Sequence, residues 1–200
     1  ICIGARFDDR ITGRLDAFSP DSTKLHIDID PSSINKNVRV DLPIVGDVGT
    51  VMGQLAKAWK ERVKRRSNGK AVREWWKMIE DWKGVNCLAY KQDKKLIKPQ
   101  YAIERLYELT KDRDCYITTE VGQHQMWAAQ FYRFEKPNRW MTSGGLGTMG
   151  YGLPSAIGVQ LAHPGSLVDD IAGEASFLMN IQEMSTAVQF GAPIKVFVIN

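Results

Sequence analysis

Short apolar runs alternate with helix-period segments through the second half of this 200-residue chain, and that alternation limits the folds open to it. Cys115–Thr119 predicts a strand, Gln125–Phe131 a helix, Leu153–Leu161 a second helix apolar enough to be buried, and Ser166–Ile171 another strand. Phe177–Phe190 follows as a helix with Phe177, Ile181, Met184 and Val188 on one stripe, and Ile194–Asn200 as a strand. Strands and helices alternating at this length argue an α/β fold, a parallel sheet with flanking helices. Ligands in such sheets sit beyond the carboxyl ends of the strands. The loops at 120–125, 142–150 and 172–176 leave from those ends or lie near them, and are expected to converge.

The first half carries weaker signals of the same kind. Ile1–Ala5 reads as a short buried strand, Lys24–Ile29 as a second strand and Pro43–Val48 as a third extended piece. Val51, Leu55, Trp59 and Val63 recur every four residues, predicting a helix from Thr50 to Arg66. A second helix, Lys70 to Lys83, places Trp75, Ile79 and Trp82 on one face and stops at Gly84; these tryptophans are assigned to the core. Val85–Lys98 is polar and irregular, a linker between two domains. Pro99 opens a helix in which Ala102, Ile103, Leu106 and Leu109 face inward. Asp169 sits inside a strand that should be apolar. An unpaired buried carboxylate is costly, so Asp169 is expected at an edge or as a local defect.

Six glycines (122, 144, 145, 147, 150 and 152) fall between Glu120 and Pro154, five of them within nine positions. Glycine loses more backbone freedom on folding than any other residue. A cluster of this kind, flanked by Gln123, His124, Gln125 and Met126, implies close backbone approach to a bound cofactor; a plain glycine-rich connector is the alternative. Composition narrows the rest. A hydrophobic share of 44% and a charged share of 25% are those of an ordinary globular protein. Cys2, Cys87 and Cys115 are odd in number and far apart, against both a disulfide framework and a zinc site. No apolar run approaches the ~20 residues a membrane span needs. Lys57 to Arg73 holds eight basic residues against Glu61, the solvated face of a helix rather than a nucleic-acid patch, since no base-reading motif accompanies it.

Two further groups carry chemistry. Ala172–Ser176 is a tight strand-to-helix turn with Glu174 at its apex, a place for an anion and a divalent metal; a serine cap beside a glutamate explains the same letters equally well. Gly4–Arg10, with Asp28 and Gly46-Asp47-Val48 on neighbouring strand ends, could cradle a dinucleotide through arginine forks and a ribose-binding carboxylate. Surface ion pairs would account for Arg6, Asp8 and Arg10 as well.

Together these residues resemble the catalytic subunits of acetohydroxyacid synthase (acetolactate synthase), thiamin-diphosphate enzymes that also carry FAD. The matching motifs are GARFDDRITG at 4–13, HIDIDP at 26–31, PIVGDV at 43–48, PQYAI at 99–103, TEVGQHQMWAAQFY at 119–132, TSGGLGTMGYGLP at 142–154 and GEAS at 173–176. The resemblance implies an internal fragment holding parts of two domains. Residues 1–84 would be the C-terminal part of the central FAD-binding domain, 85–98 a linker, and 99–200 the N-terminal part of the thiamin-diphosphate domain. Gly4, Ala5, Arg6, Asp8, Arg10, Ile11, Asp28, Ile29, Asp47 and Val48 would hold FAD, with Gln125 and Met126 reaching the flavin from the other domain. Val121, Gly122, Gln123, His124, Gly173, Glu174, Ala175 and Ser176 would hold thiamin diphosphate. Gly147 and Met149 would fix its bent, reactive conformation, the family's activating glutamate lying outside this chain.

Glu174 would bind Mg2+, although it stands where the family has aspartate, one methylene shorter. Asn200 matches the first asparagine of the motif's closing pair. The implied activity joins two pyruvates, or pyruvate and 2-oxobutanoate, with loss of CO2, in branched-chain amino acid biosynthesis. A homodimer or homotetramer, a small regulatory subunit, and a cytoplasmic, plastid or mitochondrial setting are implied as well, with no nucleic acid and no membrane. Another thiamin-dependent carboligase such as glyoxylate carboligase is the alternative. The chain alone is expected to form no acetolactate.

Overall fold

The structure, a computed structural model, describes residues 1–62 and 69–200, and its contacts divide the chain into Ile1–Trp82 and Lys83–Asn200. In the first unit, β1 (Cys2–Ile3), β2 (Leu25–Asp28) and β3 (Leu42–Val45) pair in parallel in the order β1-β2-β3. A short α1 (Asp9–Thr12) follows β1, α2 (Val48–Arg62) follows β3, and α3 (Gly69–Gly84) runs on across the division. Among the described residues, Ile27, Val38, Val40 and Val51 are the buried apolar residues of this unit. The expected Ile1–Ala5 strand is shorter and not buried: Ile3 is 40% exposed, because β1 is an edge strand paired only with β2.

The core assignment of the tryptophans does not hold. Trp59, Trp75 and Trp82 are all more than half exposed, and α3 buries none of its residues. Trp75 and Trp82 meet each other edge to face, ring centroids 5.6 Å apart. Helical periodicity shows that a face is apolar, not what covers it. Val63 and Arg66, with the centre of the basic stretch, lie outside the described residues.

The second unit is a four-stranded parallel sheet in the order β5-β4-β6-β7, formed by β4 (Cys115–Thr119), β5 (Trp140–Thr142), β6 (Leu167–Gly173) and β7 (Lys195–Ile199). Around it lie α4 (Pro99–Thr110), α5 (Gln123–Phe131), α6 (Gly152–Ala162), α7 (Glu174–Met179) and α8 (Glu183–Gln189). One face packs Ile117 and Ile171 against Ile103 and Tyr107 of α4 and Ala128 of α5. The other packs Tyr116 and Val168 under Ala156, and Val196 against Leu153, Ile157 and Ala187. The α/β class with parallel sheets is thus observed in both units.

Four expectations are corrected. β5 is a strand the periodicity does not signal, three residues long and only partly buried. In α4 Ile103 and Leu106 pack inward as expected, joined by Tyr107 and Thr110, whereas Leu109 is 70% exposed. The helix expected over Phe177–Phe190 is two helices, α7 and α8, with Val188 exposed. It breaks where the Asn180 side chain donates to Gly150 O at 2.5 Å, a bond that ties the segment to the glycine loop. Finally, β6 has partners on both sides, so Asp169 lies in a central strand and is almost fully buried. Only Cys115 Sγ approaches its carboxylate among the described hydrogen-bond partners, at 3.8 Å, and burial raises its pKa.

Candidate functional site

Parallel pairing from Cys115↔Leu167 to Thr119↔Ile171 brings the carboxyl ends of β4 and β6 side by side. The chain leaves β4 through Glu120-Val121-Gly122 into α5, and leaves β6 at Gly173 into α7. These exits border one cavity of about 310 Å³, lined by Val121, Gly122, Gln123, His124, Met149, Gly173, Glu174, Ala175 and Ser176. Pro99, Trp127, Ile199 and Asn200 complete its wall. The three expected loops therefore converge. Every residue named for thiamin diphosphate lines this cavity except Gly147, which sits against its wall: a Cβ there would lie 4.0 Å from Val121 Cγ1.

His124 is the centre of the arrangement. Its ring is wedged between two glycine backbones; a Cβ on Gly173 would come within 2.7 Å of Nδ1, and one on Gly122 within 2.9 Å of Cε1. The side chain is 5% exposed, and Nε2 is buried with no hydrogen-bond partner. Burial pushes its pKa below the usual histidine value, so the ring is neutral at neutral pH. Gly122 caps α5 without a side-chain acceptor, which leaves the first-turn N–H groups facing an open site. Ser176 Oγ donates to Val121 O at 3.2 Å, fastening α7 to the same loop.

The glycine cluster is not uniform. Gly150 has φ +80°, and a Cβ on it would meet Asn180 Nδ2 at 2.7 Å; Gly152 is pressed against Glu120 and Asp170. Gly145, by contrast, meets nothing within 4 Å, and neighbouring Leu146 is 94% exposed. Close packing thus explains the last two glycines, while 144–147 form a turn closed by Ser143, whose O accepts from Gly147 N at 3.1 Å and Oγ from Thr148 N at 3.0 Å.

Glu174 and Asn200 present a carboxylate and an amide to the cavity. Among the described residues no group of three or more His, Cys, Asp or Glu is arranged to hold a metal. Hard oxygen donors of this kind suit Mg2+ only if a ligand's phosphate and water complete its octahedron.

In the first unit the residues named for FAD also gather at strand ends. Gly4 (φ +58°) follows β1 and donates to Ile27 O at 2.8 Å, and a Cβ on it would lie 3.5 Å from Val48 Cγ2. Arg6 and Asp8 pair at 3.1 Å, with Asp8 also capping α1 through Ile11 N. Arg10 and Ile11 are exposed on α1, and Ala5 O accepts from or faces His26 Nε2 at 3.0 Å. Asp28 ends β2, with Ile29 69% exposed beyond it, and Asp47 accepts from Thr50 N at 2.9 Å at the start of α2. Gln125 and Met126 belong to the second unit, where Gln125 Nε2 donates to Thr142 Oγ1 at 2.7 Å and Met126 is 60% exposed.

Sequence reasoning missed Glu120 and Asp170, both fully buried, each with one carboxylate oxygen lacking a partner. Asp170 stands beside the conspicuous Asp169, and Glu120 is the second residue of the quoted TEVGQHQ motif; alternation along β6 puts neighbouring aspartates on opposite faces.

Residues 120–200 match the family model for the thiamine pyrophosphate enzyme C-terminal TPP binding domain, and residues 1–55 match that for the central domain. The chain belongs to the thiamine pyrophosphate enzymes. Within that family its likeness to acetolactate synthase large subunits extends over the whole chain. It is 48% identical over 198 residues, 99% of this chain and 34% of the relative, to acetolactate synthase isozyme 3 large subunit of Escherichia coli (strain K12). It is 44% identical to the mitochondrial acetolactate synthase catalytic subunit of Saccharomyces cerevisiae (strain ATCC 204508 / S288c), covering all of this chain and 30% of the relative. With chloroplastic acetolactate synthase 2 of Brassica napus it shares 47% identity, over 100% of this chain and 31% of the relative. The chain spans about a third of the length of these curated relatives. Among the described residues no helix is long and apolar enough to cross a membrane.

Proposed function

We propose that this chain is part of an acetolactate synthase catalytic subunit, which condenses two pyruvates, or pyruvate and 2-oxobutanoate, with loss of CO2. The observation that carries the proposal is the cavity at the ends of β4 and β6, where a neutral, unpartnered His124 Nε2 and the uncapped α5 N-terminus face one space. Thiamin diphosphate fits that donor set: the α5 N–H groups suit a diphosphate, and His124 offers one further hydrogen bond. When bound, it supplies the nucleophilic carbon and electron sink that decarboxylation of a 2-oxo acid requires. Val121 to His124 and Gly173 to Ser176 would hold it, Met149 and Gly147 would shape it, and Trp127 would shield it from water. Glu174, with Asn200, would share Mg2+ with the diphosphate.

FAD is assigned to residues 1–84, the linker to 85–98 and the thiamin domain to 99–200. Gly4 to Ile11, Asp28, Ile29, Asp47 and Val48 support that assignment by their common position at parallel strand ends. Gln125 and Met126 are proposed to reach the flavin in the full-length enzyme. The compartment follows the host: cytoplasm in bacteria, plastid or mitochondrion elsewhere. Homo-oligomers and a regulatory subunit are proposed on the same footing.

The test is acetolactate formation from pyruvate by the full-length protein with thiamin diphosphate, Mg2+ and FAD. Product from glyoxylate but not pyruvate would instead favour glyoxylate carboligase. Quenching of tryptophan fluorescence on adding thiamin diphosphate, lost in Trp127→Phe, reads the site directly.

A further inference from the structure

We propose that Glu120 and Asp170 share a single proton and act as a positioning pair, clamping the start of α6 to the loop that lines the cavity. Both side chains have 0% exposure, and Glu120 Oε2 and Asp170 Oδ2 are buried with no partner. Their other oxygens are committed: Leu153 N donates to Glu120 Oε1 at 3.0 Å, and Thr118 Oγ1 donates to Asp170 Oδ1 at 2.9 Å. Gly152 shows how close the two carboxyls stand. A Cβ there would clash with Asp170 Oδ1 and lie 3.0 Å from Glu120 Cδ and 2.9 Å from Glu120 N, so both carboxyls border this one glycine. Two like charges at that spacing in a dry interior cannot both persist, and one carboxyl keeps its proton.

The surroundings assign the roles. Glu120 accepts at the N-terminus of α6, where the helix dipole favours a negative charge. Asp170 lies in the middle of a central strand; burial and the neighbouring Glu120 push its pKa up to about 7, so it is the protonated member. Its free oxygen then donates the bond that Glu120 Oε2 lacks. Among the described residues no cation competes on this face: α6 carries no charged residue, β4 contributes Tyr116 and Thr118, and β7 contributes Val196. His163 stacks over Tyr116 beyond the end of α6, α8 adds Ala187, and Glu174, the one acid of α7, lines the cavity. A metal is a poor substitute, since among the described residues no third His, Cys, Asp or Glu joins the two carboxylates toward its six-oxygen shell. Glu120 immediately precedes Val121, so the pair sets where the β4–α5 loop leaves the sheet. This role in cofactor binding rests on the proposed function above; the shared proton does not.

The experiment uses the full-length protein, its Asp170→Asn variant and its Asp170→Leu variant. Infrared difference spectra at about pH 6, below that pKa, should show a protonated carboxyl C=O band in the wild type that Asp170→Asn lacks. Folded Asp170 holds its proton to higher pH than the unfolded chain, so wild-type stability should fall as pH rises from about 4 to about 7. Asp170→Asn should lose that slope. Asp170→Leu strands Glu120 and should weaken thiamin diphosphate binding about tenfold or more. Asp170→Asn accepts from Thr118 and donates to Glu120, and should rescue it. Absence of the band together with an unchanged pH slope overturns the shared proton. Equal loss of affinity in both variants overturns the positioning role. Failure of the wild type to bind thiamin diphosphate would instead sink the proposed function, with the spectra and the pH slope still deciding the pair.

Discussion

At the carboxyl end of the three-stranded sheet, polar side chains are satisfied by their own loops. Asp8 caps α1 and pairs with Arg6, Asp28 accepts from Asp30 N, and Asp47 holds the first turn of α2. In the four-stranded sheet His124 and Glu120, at that same end, and Asp170, within β6, each bury an oxygen or nitrogen with no protein partner. His26 Nδ1 is the counterpart in the first unit, buried beside Phe7. Buried unsatisfied atoms are expensive, about 1–3 kcal/mol each, and persist where a ligand or proton completes them. Both sheets are parallel and both carry motif-rich loops. What separates them is that one end is finished by the fold and the other is not.

The sharpest way to break that contrast is Gly173→Ala. The new Cβ would drive into the His124 ring, which Gly122 holds from the other side, and overpacking of this kind costs about 1–3 kcal/mol. We expect a lower thermal midpoint and loss of measurable thiamin diphosphate binding by titration calorimetry. Wild-type affinity in this variant would show that the His124 wedge does not shape the site.

Asp169→Val tests the opposite face of β6. Asp169 is buried, with the Cys115 thiol its one hydrogen-bond contact among the described residues, and burial raises its pKa against the weaker pull of Lys195 and Arg113. A carboxyl with a raised folded pKa makes the folded state bind the extra proton, so stability declines as pH rises through that value. Valine removes the penalty, and stability at neutral pH should rise by about 1 kcal/mol or more, with a flatter pH dependence. A denaturation series across pH 4–8 checks both; destabilisation at neutral pH would mean that the Cys115 contact outweighs desolvation.

Much of this was legible beforehand, and the exceptions share a cause. Cys115–Thr119 is legible to the residue because a β-branched run is bounded by polar turns, and the convergence of the three loops follows from parallel topology alone. The helix break at Asn180 was not legible, since it is made by a side-chain bond to Gly150, thirty residues away. The exposed tryptophans of α3 were misassigned for the same reason: a stripe records amphipathicity, while its cover is a matter of tertiary structure. Asp170 was hidden by its neighbour. Two aspartates in a strand look like one anomaly, yet alternation sends one toward Cys115 and the other toward Glu120.

In the first unit the effects should be smaller. Asp47→Ala removes the acceptor of Thr50 N and Thr50 Oγ1, bonds that hold the Asp47 carboxylate below its ordinary pKa. A depressed pKa means stability present at neutral pH and lost on acidification. The variant's deficit in thermal midpoint should therefore shrink as pH falls through the carboxylate range, and Asp47→Asn, still a good cap, should restore most of it. A deficit independent of pH would place the effect in the backbone turn rather than the charge.

Arg6→Ala is the mildest change and the most discriminating for the cradle. Its guanidinium is 59% exposed and pairs with Asp8 at 3.1 Å, and an exposed pair contributes about 0–1 kcal/mol, screened by salt. Stability should barely move. If Arg6 instead serves a diphosphate, its removal should weaken flavin retention far more than it weakens the fold, because a charge-assisted fork to phosphate is stronger than a solvated ion pair. Flavin absorbance retained by the full-length variant after gel filtration separates these outcomes. Unchanged flavin content with unchanged stability would leave Arg6 as surface charge and move the diphosphate contact onto Arg10 or the backbone of Gly4 and Ala5.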